Sequence, residues 1–160
     1  MGTGKTAVGR ELSRLLGMRV IDVDHEIEVS QGRTVTEIFS ELGEEGFRLL
    51  EAETIARMAS LQGVIISTGG GAVLREDNLN ALKRNGFICC LTASPEVILE
   101  RTAGNKDRPL LESADRKARI VELLAQRRPF YEKAGILVDT DGKTPLQVAE
   151  EIIGKVKWKE

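Results

Sequence analysis

The chain opens with Gly2-Thr3-Gly4-Lys5-Thr6, and Gly4, Lys5 and Thr6 match the close of G-x-x-x-x-G-K-[ST], a loop that wraps nucleotide phosphates where a strand meets a helix. Gly2 and Gly4 let backbone N–H groups turn toward phosphate oxygens, and Lys5 brings a point charge to the β- and γ-phosphates of ATP. The Thr6 hydroxyl suits Mg²⁺. Counting back, the first glycine of the loop would fall two residues before Met1, with its strand further upstream. Met1 is therefore expected to be an internal methionine of a longer natural protein. A chain truly starting there is expected to be destabilised and catalytically weak.

Such a loop belongs in a parallel sheet flanked by helices, and the rest of the sequence alternates accordingly. Val8, Leu12, Leu15 and Leu16 recur at helical spacing over 6–16, and Gly17 is placed to end that helix. Val20-Ile21-Asp22-Val23-Asp24 reads as a short strand running into acidic residues. Thr34 and Glu37 form a capping-box pattern that opens a short helix, residues 43–46 break it, and a second helix spans 47–61. Val64 to Thr68 is a β-branched strand that stops at Gly69-Gly70-Gly71. A helix over 75–85, a strand over 87–91 and a helix begun by Ser94 and Pro95 follow. Residues 102–113 are polar and broken by Gly104, Asn105 and Pro109, the composition of a mobile surface segment. An amphipathic helix over 115–128, a strand over 136–138 and a last helix capped by Thr144 and Gln147 complete the chain. Four strands are visible, and the upstream one would make five in a three-layer αβα sandwich. With no repeat or linker, the 160 residues read as a single domain.

The polar residues that matter fall at the carboxyl ends of these strands, where open parallel sheets bind ligands. Asp22 and Asp24, two residues apart on a strand, would project from one face, and a cation between them would relieve their repulsion. Arg48 and Glu51 share a helix face, so Glu51 can hold a guanidinium aimed at a substrate carboxylate. Three consecutive glycines are entropically costly and make sense where a ligand touches backbone. Arg101, Arg108, Arg127 and Arg128 add positive charge in the second half, Arg108 within the polar segment. His25 reads as a surface residue.

A net charge of −2 argues against a general nucleic-acid or membrane-surface binder and confines any bound polyanion to a local pocket. No apolar stretch approaches the ~20 residues of a membrane span, and no signal-peptide pattern is visible. Cys89 and Cys90 are neighbours on a strand and point to opposite faces. Free thiols are expected, in keeping with a cytoplasmic location.

Taken together, Gly2-Thr3-Gly4-Lys5-Thr6, Asp22-Val23-Asp24, Gly46-Phe47-Arg48 with Glu51, Gly69-Gly70-Gly71, Arg108-Pro109-Leu110-Leu111 and Arg127-Arg128-Pro129-Phe130-Tyr131 resemble shikimate kinase in order and spacing over the whole chain. The resemblance implies a P-loop fold of the nucleoside-monophosphate-kinase type, with a substrate-binding insertion over 24–61 and a lid over 102–115. It implies transfer of the ATP γ-phosphoryl group to the 3-hydroxyl of shikimate, with Mg²⁺, by a monomer that needs neither nucleic acid nor membrane. It puts the catalytic roles on Lys5, Asp24 and Arg108, and ATP binding on Gly2, Thr3, Gly4, Lys5, Thr6, Arg101, Arg108 and Lys143. Shikimate binding falls on Asp24, Arg48, Gly69, Gly70, Gly71 and Arg127, and the magnesium contacts on Thr6 and Asp22. Two alternatives stay open: another small-metabolite kinase such as a gluconate kinase, and a shikimate-binding module without catalysis.

Overall fold

The computed structural model of the protein describes residues 2–103 and 115–156. Its elements run α1 (Lys5–Leu16), β1 (Arg19–Asp22), α2 (Val23–Gln31), α3 (Val35–Met58), β2 (Val64–Ser67), a 3-10 turn (Ala72–Leu74), α4 (Glu76–Asn85), β3 (Cys89–Thr92), α5 (Pro95–Thr102), α6 (Arg116–Ala134), β4 (Ile136–Asp139) and α7 (Pro145–Lys155). The cap residues act as their chemistry dictates. Thr34 and Thr144 complete full capping boxes with Glu37 and Gln147, and Ser94 accepts the Val97 N–H ahead of a first-turn proline. Gly17 ends α1 in the left-handed region, and Gly43 breaks α3 with φ 68°.

All strand pairing is parallel, β1 with β2 and β3 with β4. The single sheet expected from the sequence is, among the described residues, two strand pairs that are not hydrogen-bonded to each other. The expected fifth strand lies outside the described residues. Val8 and Leu12 of α1 hold the pairs side by side, joining a core with Val138, Val148, Ala149 and Ile152 onto which Ile65 of β2 and Leu91 of β3 both pack. A second core, built from Val23, Ile27, Ile38, Phe47 and Ile55, fastens α2 and α3 above β1 and β2. Ile98, Ile120 and Leu123 join α5 to α6.

Two local expectations are corrected. The segment 20–24 does not stay extended through Asp24: the strand ends at Asp22, whose carboxylate accepts the N–H groups of Asp24 and His25 and so caps a helix beginning at Val23. Helix α6 does not stop at Arg128 but runs through Pro129 to Ala134. Ala125, whose carbonyl Pro129 leaves unbonded, is exposed to water, and the turn beyond the proline is anchored by Ala134 and Tyr131 against Val73 and Cys90. Among the described residues no helix is long and apolar enough to cross a membrane.

Candidate active site

Both expected halves of the site meet at the carboxyl ends of β1 and β2. On one side lies the phosphate loop. Gly2 and Gly4 hold φ 62° and 82°, the left-handed conformations that turn successive N–H groups one way, and Gly4 is the N-cap of α1. Thr3 between them is buried, while Gly4 and Thr6 face solvent. Arg101 ties this loop to the end of β4. Its guanidinium donates to the Gly2 carbonyl at 3.5 Å and to the Thr140 hydroxyl and carbonyl at 3.0 and 3.2 Å. Lys143, expected near ATP, pairs with Glu151 at 2.7 Å and donates to the Asp139 carbonyl at 2.9 Å.

On the other side, Gly69, Gly70 and Gly71 form a bare wall with charged side chains pressed on it. Arg48 Nη1 donates to Glu51 at 2.7 Å, and Nη2 reaches Glu44 at 3.1 Å. A methyl group on Gly71 would overlap this guanidinium, with Cζ only 2.6 Å away, although φ −89° there suits any residue. A methyl group on Gly69 would stand 3.1 Å from Glu51 Oε1 and 3.7 Å from Asp24 Oδ1. At the first and third glycines a side chain would therefore displace Glu51 or the Arg48 guanidinium, a matter of close approach rather than of backbone angle.

The electrostatics show that these groups see one another across the two halves. Burial pushes the Asp24 carboxyl above its ordinary range and Asp22 adds to this, while Lys5 of the phosphate loop and Arg48 of the wall pull it back. Burial likewise raises Glu51, against the pull of Arg48 and, more weakly, Arg127. Burial opposes the Arg48 cation, yet Glu51 and Glu44 together hold its pKa above the usual value. Asp24 Oδ1 and Glu51 Oε1 are buried without a hydrogen-bond partner among the described residues, two acceptors aimed where a donor belongs.

Arg127, buried on α6, completes the ring. It shares a small cavity of about 30 Å³ with Thr3 and Tyr131, and beside it a cavity of about 300 Å³ opens between α3 and α6, lined by Glu44, Leu74, Leu123 and Phe130. Lys5, Asp24, Gly70 and Arg127 thus belong to one locality. Arg108, with the rest of 104–114, lies outside the described residues.

Sequence reasoning gave no role to Glu44, which shares the Arg48 guanidinium with Glu51, or to Tyr131, whose hydroxyl donates to the Gly70 carbonyl at 2.8 Å. Glu44 was legible as an i, i+4 partner of Arg48. Tyr131 was not, because its partner is 61 residues away and its helix was expected to end before it.

Among the described residues no three carboxylate, imidazole or thiol groups cluster as a metal cage. The donors present, the Thr6 hydroxyl and the free oxygen of Asp22 with Asp24 nearby, fit Mg²⁺ instead, an ion that takes one or two protein ligands and completes its shell with phosphate and water.

The family model for shikimate kinase matches residues 1–157. The shikimate kinase of Thermodesulfovibrio yellowstonii is 48% identical over 153 residues, covering 96% of this chain and 88% of that protein. That of Symbiobacterium thermophilum is 46% identical over 160 residues, covering 98% and 92%. Among solved structures, shikimate kinase from Acinetobacter baumannii in complex with shikimate superposes with a TM-score of 0.93 at 36% identity, covering 98% of this chain and 91% of that one.

Proposed function

The chain belongs to the shikimate kinase family, and we propose that the two halves of its site divide the family's reaction between them. The protein is a kinase that transfers the γ-phosphoryl group of ATP to the 3-hydroxyl of shikimate, giving shikimate 3-phosphate and ADP. Neither the gluconate kinase nor the non-catalytic module is favoured by these relatives.

In the roles we assign, Arg48 and Arg127 clamp the shikimate carboxylate, because a planar guanidinium offers paired donors to a planar anion. Glu51 and Glu44 fix the Arg48 fork before substrate arrives, and the Gly70 backbone and Asp24 hold the hydroxyls. Asp24 takes the proton of the attacking hydroxyl. Its burial keeps it more basic than a surface aspartate, and Lys5 close by stabilises its charged form. The backbone N–H groups of Gly2, Thr3 and Gly4 cradle the phosphates of ATP, and Arg101 and Lys143 lie toward its base. Lys5 spreads the charge that develops on the phosphoryl oxygens. Mg²⁺, held by Thr6 and Asp22, would neutralise the β- and γ-phosphate oxygens when bound. Arg108 is assigned the lid role on the resemblance of Arg108-Pro109-Leu110-Leu111, as are the insertion over 24–61 and the lid over 102–115. We further propose a cytoplasmic monomer.

The observation that carries this reading is the convergence of Asp24, Arg48, Glu51 and Arg127 on a glycine wall, with the phosphate-loop lysine felt at Asp24. A coupled ADP-release assay tests it, run with shikimate and with gluconate as acceptors. Turnover that depends on shikimate is expected. Turnover with gluconate alone, or shikimate binding by calorimetry without any ATP binding, would overturn it.

A further inference from the structure

The three carbonyls of the glycine wall are satisfied in two different ways. Gly69 O accepts the backbone N–H of Ala72 at 3.2 Å, and Gly71 O accepts that of Leu74 at 3.0 Å, both inside the local turn. Gly70 O instead accepts the hydroxyl of Tyr131, brought from α6, at 2.8 Å. Tyr131 stands one helical turn beyond Arg127, on the same face, and both side chains line the same small cavity. The aromatic ring packs with Val73, Cys90 and Ala134, so it has little freedom to move.

We propose that Tyr131 is a positioning residue for the small acid. Through its hydroxyl on the Gly70 carbonyl, with Arg127 one turn away beside the same cavity, it fixes the peptide at Gly70 against the Arg127 fork. A peptide is planar, so a carbonyl held on one side sets where the adjoining N–H groups point. Removing the hydroxyl leaves the half-buried Gly70 carbonyl short of a partner. The hydrogen bond itself lies on the acid side of the site and touches neither Arg101 nor Lys143, so its loss should be felt mainly in the acid. The inference rests on the functional reading given above.

Tyr131→Phe keeps the ring and deletes the bond to Gly70. The shikimate KM should rise roughly fivefold, the cost of one part-buried hydrogen bond, while the ATP KM and kcat stay within about twofold. Arg127→Lys, alone and combined with Tyr131→Phe, forms a cycle on shikimate Kd by calorimetry. The combined loss should fall about threefold or more short of the product of the single losses. A shikimate KM unchanged in Tyr131→Phe, equal rises in both KM values, or strictly multiplicative losses in the cycle would each overturn the assignment. Failure of the unaltered chain to turn over shikimate would sink the functional reading instead, and is measured first.

Discussion

In the proposed roles, the acid-binding wall and the phosphate loop solve the same problem, holding an anion, with opposite materials. At the wall the work is done by buried charged side chains: Glu51 is fully buried, Arg127 nearly so, and Arg48 lies between two carboxylates. At the loop it is done by backbone, with two left-handed glycines and a helix N-terminus, and Gly4 and Thr6 are open to solvent. The difference follows from the ligands. A nucleotide triphosphate brings several charges, and many weak N–H groups suffice to hold it. A small acid offers one carboxylate, which must be met by a fork set in advance. Substitutions at the wall should therefore disturb both stability and acid affinity, whereas those at the loop should disturb turnover and spare the fold.

The sharpest break of that contrast lies at Asp24, which both halves influence. Asp24→Asn keeps the shape and removes the proposed base. We expect kcat to fall by roughly 10²–10⁴-fold, with thermal stability held or raised because burial works against a charge at this carboxyl. A kcat within tenfold of the unaltered chain would move the base elsewhere. Next comes Glu51→Ala, which leaves the half-buried Arg48 with Glu44 as its one hydrogen-bonded carboxylate among the described residues. Loss of a buried pair member typically costs about 3–5 kcal/mol, and the exposure of Glu44 places this case near the lower end. Chemical denaturation reads that loss, and the shikimate KM should rise with it.

How much of this was legible depends on whether the cause was local. The phosphate loop, the capping boxes at Thr34 and Thr144, the break at Gly43 and the Arg48–Glu51 pair all act within four residues or so, and the sequence shows them directly. The helix α2 was missed because the β-branched Val20, Ile21 and Val23 read as a strand carried through Asp24, and the capping chemistry of Asp22 outweighed that propensity. The passage of α6 through Pro129 was missed because it depends on what packs beyond the proline, and Tyr131 was hidden with it. The requirement for Gly71 was visible as a costly triplet. Its reason, the Arg48 guanidinium lying against it, is a contact between distant parts of the chain.

Two glycines turn that last point into a test. Gly71→Ala should raise the shikimate KM about tenfold by displacing the Arg48 fork, the scale of one disturbed charged hydrogen bond, and should leave the ATP KM alone. Gly4→Ala meets no atom within 4 Å, but φ 82° costs an L-residue roughly 1–2 kcal/mol. Its effect should appear in the ATP KM, and Gly4→Asn, which tolerates that angle better, should recover part of it. If Gly71→Ala proved harmless while Gly4→Ala raised the shikimate KM, the division of labour between wall and loop would be wrong.

The smallest expected effect falls on Lys143, where the nucleotide side borrows the wall's material. Its ammonium is already engaged by Glu151 and by the Asp139 carbonyl, in a half-exposed setting where ion pairs contribute about 0–1 kcal/mol. Approaching ATP must compete with those partners, so the lysine's net gain on binding is the difference of two modest attractions. Lys143→Met should therefore raise the ATP KM by no more than about fivefold, leave the shikimate KM unchanged and weaken in salt. Glu151→Gln frees the ammonium without removing it, so it should shift the ATP KM the opposite way. A rise in both variants would mean that the Lys143–Glu151 pair serves to hold the loop before α7, and that this end of the site, too, is built in advance.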